Sequence, residues 1–208
     1  LIFILSLTVI LFSWLMFQLT HSIEYALRKT LFNGVSILTG TGYSSDNYML
    51  WGSFPISIFF VIGLIGGCAG STTCSIKVFR FQILFSAIGS QIKQMHFPSA
   101  VVATRYEGKR VSVDIVSSVI AFFILFFASL FLIALALSAT GLDFVTAISG
   151  AVSTLANIGP GLGERIGPIG NYAELNNVAK LILIFSMFVG RLELMVVYVL
   201  FTLTFWRG

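Results

Sequence analysis

Two short glycine-containing strips could bind a cation through their backbone carbonyl oxygens. Their residues are Thr39, Gly40, Thr41, Gly42 and Tyr43 in the first strip, and Ala156, Asn157, Ile158, Gly159 and Pro160 in the second. Glycine allows backbone angles at which successive carbonyl oxygens face one way, and such oxygens can replace the hydration shell of a cation. The first strip also contains Thr, Gly and Tyr in the same order as potassium-channel filters. The pattern predicts an ion-binding filter, and an ordinary turn is the alternative for either strip alone.

A run of small residues interrupts an apolar stretch between the two strips. Its residues are Gly66, Gly67, Cys68, Ala69, Gly70, Ser71, Thr72, Thr73, Cys74 and Ser75. Each glycine inside a helix costs roughly 1 kcal/mol relative to alanine, so a helix should break here. The run does not match the phosphate-binding pattern G-x-x-x-x-G-K-[ST]. Close helix packing through small residues is one interpretation, and a flexible plug beneath the filter is the one that we favour.

Arg191 lies within the last apolar stretch, near the middle of the expected span. A charged side chain at such a position generally faces the protein interior and has a partner. Glu193 is the nearest acid, but side chains two residues apart on a helix point in different directions. Because a guanidinium has five donors, we predict that Arg191 hydrogen-bonds to free carbonyls of the 66–75 segment. A structural salt bridge is the alternative.

The other reactive side chains form no catalytic pattern. The sequence has no nucleophile–base pair, metalloprotease motif or paired carboxylates that we can assign to one cavity, which argues against an enzyme. Cys68 and Cys74 lack the spacing of a zinc or redox pair. A net charge of +4, spread along the chain, argues against a nucleic-acid partner. We expect no covalent cofactor.

Composition places the chain in a lipid bilayer. Of its 208 residues, 57% are apolar and 10% charged, and the mean hydropathy is +1.00. A soluble domain carries about 25% charged residues. Long apolar stretches occupy residues 1–20, 115–137 and 178–206, and a fourth, 54–89, contains the 66–75 interruption. We predict an all-α integral membrane protein that crosses the membrane several times.

Two further apolar segments, 26–38 and 144–155, are too short to cross a bilayer, since about a dozen helical residues reach roughly halfway. Each is followed by one glycine strip, as in a re-entrant pore loop. The order of helix, pore loop and helix therefore occurs twice. We predict one repeat at residues 1–89 with an intramembrane loop at 66–75, a connector at 90–111 and a second repeat at 112–208.

The distribution of charge orients these repeats. Half of the 12 basic residues lie between positions 77 and 110, namely Lys77, Arg80, Lys93, Arg105, Lys109 and Arg110. By the positive-inside rule this side is cytoplasmic, so the strips face outward.

Five stretches together resemble the Trk/Ktr/HKT superfamily of potassium transporters, most closely its bacterial TrkH-type membrane subunits. They are SILTGTGYSS, GLIGGCAGSTTCSIKVFR, FPSAVVATRYEGKRVS, STLANIGPGLG and VGRLELMVVYVLFTLTFWR. The superfamily surrounds one pore with four helix–pore-loop–helix repeats. This chain, which begins with Leu1 rather than Met, resembles the third and fourth, so we expect it to be the C-terminal half.

The resemblance implies a function for each motif. Gly42 and Gly159 match filter glycines, the 66–75 segment matches the gating loop, and Arg191 matches the arginine that helps hold that loop closed. It also implies K⁺ as the transported ion, the bacterial inner membrane, a homodimer and a cytosolic nucleotide-binding regulatory subunit. The family usually has Gly-Gly where Cys74 and Ser75 stand, which predicts a less flexible loop. A sodium-permeable relative and a non-conducting scaffold subunit are the alternatives.

Overall fold

The structure is a computed structural model and describes residues 6, 10–14, 22–67, 73–97, 103–192, 194–200 and 205–206. These parts of the chain are mostly helical. The helices are α1 (Ile23–Thr39), α2 (Ser53–Leu64), α3 (Val78–His96), α4 (Val113–Ala139), α5 (Phe144–Leu155), α6 (Asn177–Arg191) and α7 (Leu194–Leu200). The predicted first span, 1–20, lies mostly outside the described residues, and so does Cys68–Thr72 of the interruption.

The two short apolar segments form helices, α1 and α5. Asp143 caps α5 by accepting a hydrogen bond from the Thr146 backbone N–H at 3.0 Å. α5 has 12 residues, nine of which are buried, mainly against α4 and α6. A helix that is covered on nearly every side lies inside the protein rather than on its surface. Its length of about 18 Å is too short to cross a bilayer.

α4 is the one described helix that is long and apolar enough by itself to cross a membrane, with 27 residues. Large apolar side chains on its outer face are exposed, among them Ile124, Phe131 and Leu132. Such a face is stable against lipid or further protein.

The described part of the last apolar stretch, 178–206, contains two helices. α6 ends at Arg191, and α7 is inclined to it by 106°. Arg191 is therefore at the end of a helix rather than in the middle of one. Gly190 weakens the last turn, since glycine is a poor helix former, and this turn packs against the end of α5.

The interruption lies between α2, which ends at Leu64, and α3, which begins at Val78. The two ends of the intervening segment are bridged. The Gly66 N–H donates to the Ile76 carbonyl at 2.8 Å, and the Ile76 N–H donates to the Leu64 carbonyl at 3.2 Å. The described residues on the two sides of 68–72 thus lie side by side.

The basic connector contains both helix and strand. α3 continues past residue 89 to His96, and β1 (Arg105–Tyr106) pairs antiparallel with β2 (Lys109–Arg110). Ser86 Oγ donates to the Arg105 carbonyl at 2.8 Å, which ties this hairpin to α3.

Candidate functional site

The first strip begins where α1 ends. Gly40 caps the helix with a φ of +70°, and the N–H groups of Thr41 and Gly42 both donate to the Ser36 carbonyl, at 2.9 and 3.3 Å. Gly42 has a φ of +77°. Left-handed angles at Gly40 and Gly42 are available at little cost because glycine has no Cβ.

The second strip repeats this geometry after α5. Asn157 takes the left-handed position, with a φ of +53°, and Gly159 has a φ of +119°. The Ile158 N–H donates to the Ser153 carbonyl at 2.9 Å, just as the Thr41 N–H donates to the Ser36 carbonyl at 2.9 Å. In both strips the acceptor lies five residues before the donor. The two half-helices therefore end in the same type of turn.

The two strips lie against each other. A Cβ placed on Gly42 would be 1.9 Å from the Ile158 carbonyl oxygen, and a Cβ placed on Gly159 would be 3.9 Å from the Gly42 Cα. The C-termini of α1 and α5 therefore end at one place. Helix C-termini carry a partial negative charge, so this place favours a cation.

Polar side chains fix the turn that follows the first strip. Asn33, which is fully buried, donates to Ser45 Oγ at 3.1 Å and accepts from the Ser45 N–H at 3.0 Å. Lys29 donates to the Ser45 carbonyl and lies 4.0 Å from the Asp46 carboxylate. Tyr25 donates to the same carboxylate at 2.6 Å. One face of α1 thus holds the chain as it leaves the strip.

Hydroxyl groups hold the second strip. Ser149 Oγ donates to the Leu162 carbonyl and accepts from the Leu162 N–H, both at 3.0 Å. The Gly159 carbonyl accepts from Ser153 Oγ at 2.7 Å and from the Tyr172 hydroxyl at 2.6 Å. Tyr172 lies in a 3₁₀ turn, Tyr172–Glu174, in the segment between the strip and α6.

The end of α6 also supports the second strip. Asn157 Nδ2 donates to the Met187 carbonyl at 3.0 Å. A Cβ on Gly190 would lie 1.9 Å from the Leu155 carbonyl oxygen. Only glycine permits this approach of α6 to the end of α5.

The described part of the 66–75 segment lies close to both the first strip and α6. A Cβ on Gly40 would be 3.4 Å from Thr73 Cγ2. Ser75 Oγ donates to the Gly63 carbonyl at 3.0 Å, and Arg191 Nη1 lies 3.8 Å from Cys74 Sγ as a hydrogen-bond donor. Arg191 thus contacts this segment at a cysteine sulfur, and its predicted hydrogen bonds to backbone carbonyls stay a prediction.

Other chemistry has little support in the described residues. No group of three or more His, Cys, Asp or Glu side chains there could hold a metal ion. Asp143, outside the spanning helices, has a pKa below its ordinary value. The main cause is a hydrogen bond from the Thr146 side chain to the carboxylate, and the second is a hydrogen bond from the Thr146 backbone N–H. This lowered pKa reflects helix capping rather than catalysis.

Sequence reasoning missed the supporting residues Asn33, Ser149, Ser153 and Tyr172. Aligning Gly42 with Gly159 also aligns Ser36 with Ser153, so extending the repeat backwards would have found one of them. Tyr172 carries no such signal, since it reaches Gly159 only through the fold of the intervening segment.

Comparison with known proteins identifies relatives over nearly the whole chain. The family described as "TrkH: Cation transport protein" matches residues 1–206. The chain is 44% identical over 207 residues to the Trk system potassium uptake protein TrkI of Halomonas elongata, covering 100% of this chain and 41% of that protein. It is 36% identical over 181 residues to TrkH of Escherichia coli K12, covering 87% of this chain and 37% of that protein.

A solved structure agrees. The crystal structure of the potassium transporter TrkH from Vibrio parahaemolyticus matches with a TM-score of 0.90 at 33% identity, covering 98% of this chain and 43% of that one. The chain thus spans about two fifths of the length of these relatives, and the predicted helical membrane-protein class is confirmed. On the family match and these identities together, the chain belongs to the TrkH family of cation transport proteins.

Proposed function

We propose that this chain is part of a potassium-uptake transporter of the bacterial cytoplasmic membrane, in which residues 39–43 and 156–160 supply filter carbonyls. One observation carries the proposal: the two strips have the same backbone turn, and they contact each other at Gly42 and the Ile158 carbonyl. The relatives named above are potassium uptake proteins, which supports K⁺ as the ion.

The proposed arrangement has three parts. Residues 1–89 and 112–208 are two helix–pore-loop–helix repeats, and residues 90–111 connect them on the cytoplasmic side. Two further repeats in the complete protein close the ring around the ion, and that protein is a homodimer. The exposed basic residues of the hairpin, Arg105, Lys109 and Arg110, are a suitable surface for a cytosolic nucleotide-binding regulatory subunit.

Ion selection follows from the backbone. Carbonyl oxygens of the strips replace the hydration shell of K⁺, and the C-termini of α1 and α5 add partial negative charge. The side-chain hydrogen bonds around each strip keep the oxygens in position, so that collapse around a smaller ion is opposed.

We propose that the 66–75 segment gates the pore from below. Thr73, in the described part of the segment, lies beside Gly40 of the first strip, which supports the proposal. The contact of Arg191 with Cys74 ties it to the end of α6. Loss of that contact is expected to favour the open state.

Ion uptake tests the filter. The complete gene product should restore growth of potassium-uptake-deficient cells at low K⁺. In reconstituted vesicles, Gly42→Ser and Gly159→Ser should weaken K⁺ uptake relative to Na⁺ uptake. Gly52→Ser is the matched control, since Gly52 has a φ of +102° and open space around it, but lies outside the strips. An unchanged ratio in both strip variants contradicts the filter, and no ion flux at all indicates a scaffold.

A double-mutant cycle tests the gate. Arg191→Ala and Cys74→Ala should each raise K⁺ flux, and together they should raise it less than the product of the single effects, because both remove one contact. Arg28→Ala is the control, since Arg28 pairs only with Glu24 among described residues and its side chain is 66% exposed. Lower or unchanged flux in folded Arg191→Ala protein would rule out this role.

A further inference from the structure

Both hydrogen-bonding positions of one carbonyl in the second strip are occupied by protein donors. The Gly159 oxygen accepts from Tyr172 at 2.6 Å and from Ser153 at 2.7 Å. The two hydroxyl oxygens are 3.3 Å apart, so they form one compact group. A carbonyl oxygen has two lone pairs, and both of those on Gly159 are directed at protein hydroxyls.

The Ser153 and Tyr172 hydroxyls together hold the Gly159 carbonyl in one orientation. Ser153 is 2% exposed and lies in the last turns of α5, which is itself buried. Tyr172 reaches the same oxygen from the 3₁₀ turn that precedes α6. Rotation of the Gly159–Pro160 peptide would break both hydrogen bonds at once, and the buried Ser153 hydroxyl would lose the carbonyl to which it donates.

The first strip is held differently. Ser36 corresponds to Ser153, because each of their carbonyls accepts an N–H from the strip residue five positions later. Ser36 is 6% exposed, and its Oγ has no hydrogen-bond partner among the described residues. The two strips thus share a backbone turn but differ in the side-chain support behind it.

We infer that Tyr172 and Ser153 are positioning residues that hold the Gly159 carbonyl on the protein side of the strip and thereby set ion selectivity. The inference rests on the proposed filter. Because its oxygen is held by two hydroxyls, the Gly159 carbonyl cannot move toward a smaller ion. The second strip therefore offers fewer carbonyl oxygens that are free to move than the first strip does. Selectivity depends on the number and freedom of coordinating carbonyls, so freeing this oxygen should help Na⁺ more than K⁺.

The test uses the complete gene product in vesicles and measures the ratio of K⁺ to Na⁺ uptake. Tyr172→Phe removes one hydroxyl and keeps the ring, and Ser153→Ala removes the other. Each should lower the ratio between about twofold and tenfold, the range that one hydrogen bond supports. Tyr198→Phe is the matched control, because it removes a hydroxyl that bonds Ser129 at 2.8 Å, between α7 and α4.

The outcomes separate this inference from the proposed function. A wild-type protein without K⁺-selective flux contradicts the proposed function itself. A selective wild type whose ratio is unchanged in Tyr172→Phe overturns the inference alone, as does an equal fall in Tyr198→Phe. If Tyr172→Phe fails to accumulate in the membrane, the same ratio measured in Ser153→Ala decides.

Discussion

Gly190→Ala should be among the most damaging single-methyl changes in the chain. The new Cβ would lie 1.9 Å from the Leu155 oxygen, 2.8 Å from the Leu155 carbonyl carbon and 3.0 Å from Asn157 Nδ2. Ordinary contact begins near 3.4 Å, so α6 and the end of α5 must separate by about 1.5 Å, the difference between 3.4 and 1.9. The obstacle is backbone, which cannot rotate aside.

The expected cost follows from this displacement. Overpacking costs about 1–3 kcal/mol, and loss of the hydrogen bond from Asn157 to Met187 costs about 1 kcal/mol more. We therefore expect Gly190→Ala to lower the free energy of unfolding by about 2–4 kcal/mol. The strip that follows Leu155 should move as well, so uptake activity should fall together with stability.

Two matched glycines calibrate the measurement. Gly89 lies in α3 with nothing within 4 Å of its Cβ position, so Gly89→Ala should be neutral or stabilising by up to about 1 kcal/mol. At Gly150, in α5, the nearest atom is the flexible end of Ile166, at 3.2 Å. Gly150→Ala should fall between the other two.

The assay is thermal unfolding of the complete, purified protein in detergent, followed by loss of monodisperse protein on size-exclusion chromatography. The melting temperature should rank Gly190→Ala lowest and Gly89→Ala highest. A Gly190→Ala protein that melts with the wild type would refute the close approach of α6 to α5.

Three other changes test separate features. Asp143→Asn should keep the cap but remove its pH dependence. Because the pKa of Asp143 is lowered in the folded protein, the ionised carboxylate stabilises the fold above the ordinary pKa of about 3.9, and this stabilisation is lost as pH falls through the folded pKa. Melting temperatures measured at pH 3 and pH 6 should therefore differ more in the wild type than in Asp143→Asn. Asn33→Leu should cost about 1–3 kcal/mol, since it leaves the Ser45 N–H without its side-chain acceptor, whereas Ser45→Ala should cost about 1 kcal/mol in the same melting assay. Gly66→Ala should separate the two ends of the 66–75 segment, because the new Cβ would lie 2.9 Å from the Ser75 carbonyl oxygen. In a Cys68→Ser background, maleimide should then label Cys74 faster. An unchanged labelling rate would contradict the close approach of Gly66 to Ser75.

Local sequence signals predicted the elements well where composition and length decide the outcome. The segment 144–155 was predicted from its apolar residues and its short length, and α5 occupies the same residues. The break in 54–89 follows from glycine's poor helix propensity, and α2 ends at Leu64 before it. The last span was predicted less well, because hydropathy along the chain does not report the 106° angle between α6 and α7.

The sequence by itself determined that this chain is an apolar helical protein with two glycine strips at matching points, because hydropathy, glycine content and spacing act locally along the chain. Tertiary structure decided what surrounds those strips. The approach of Gly190 to Leu155, the reach of Tyr172 to Gly159 and the contact of Arg191 with Cys74 join residues far apart in sequence. Such contacts depend on where whole helices pack, and no local pattern of residues encodes that position.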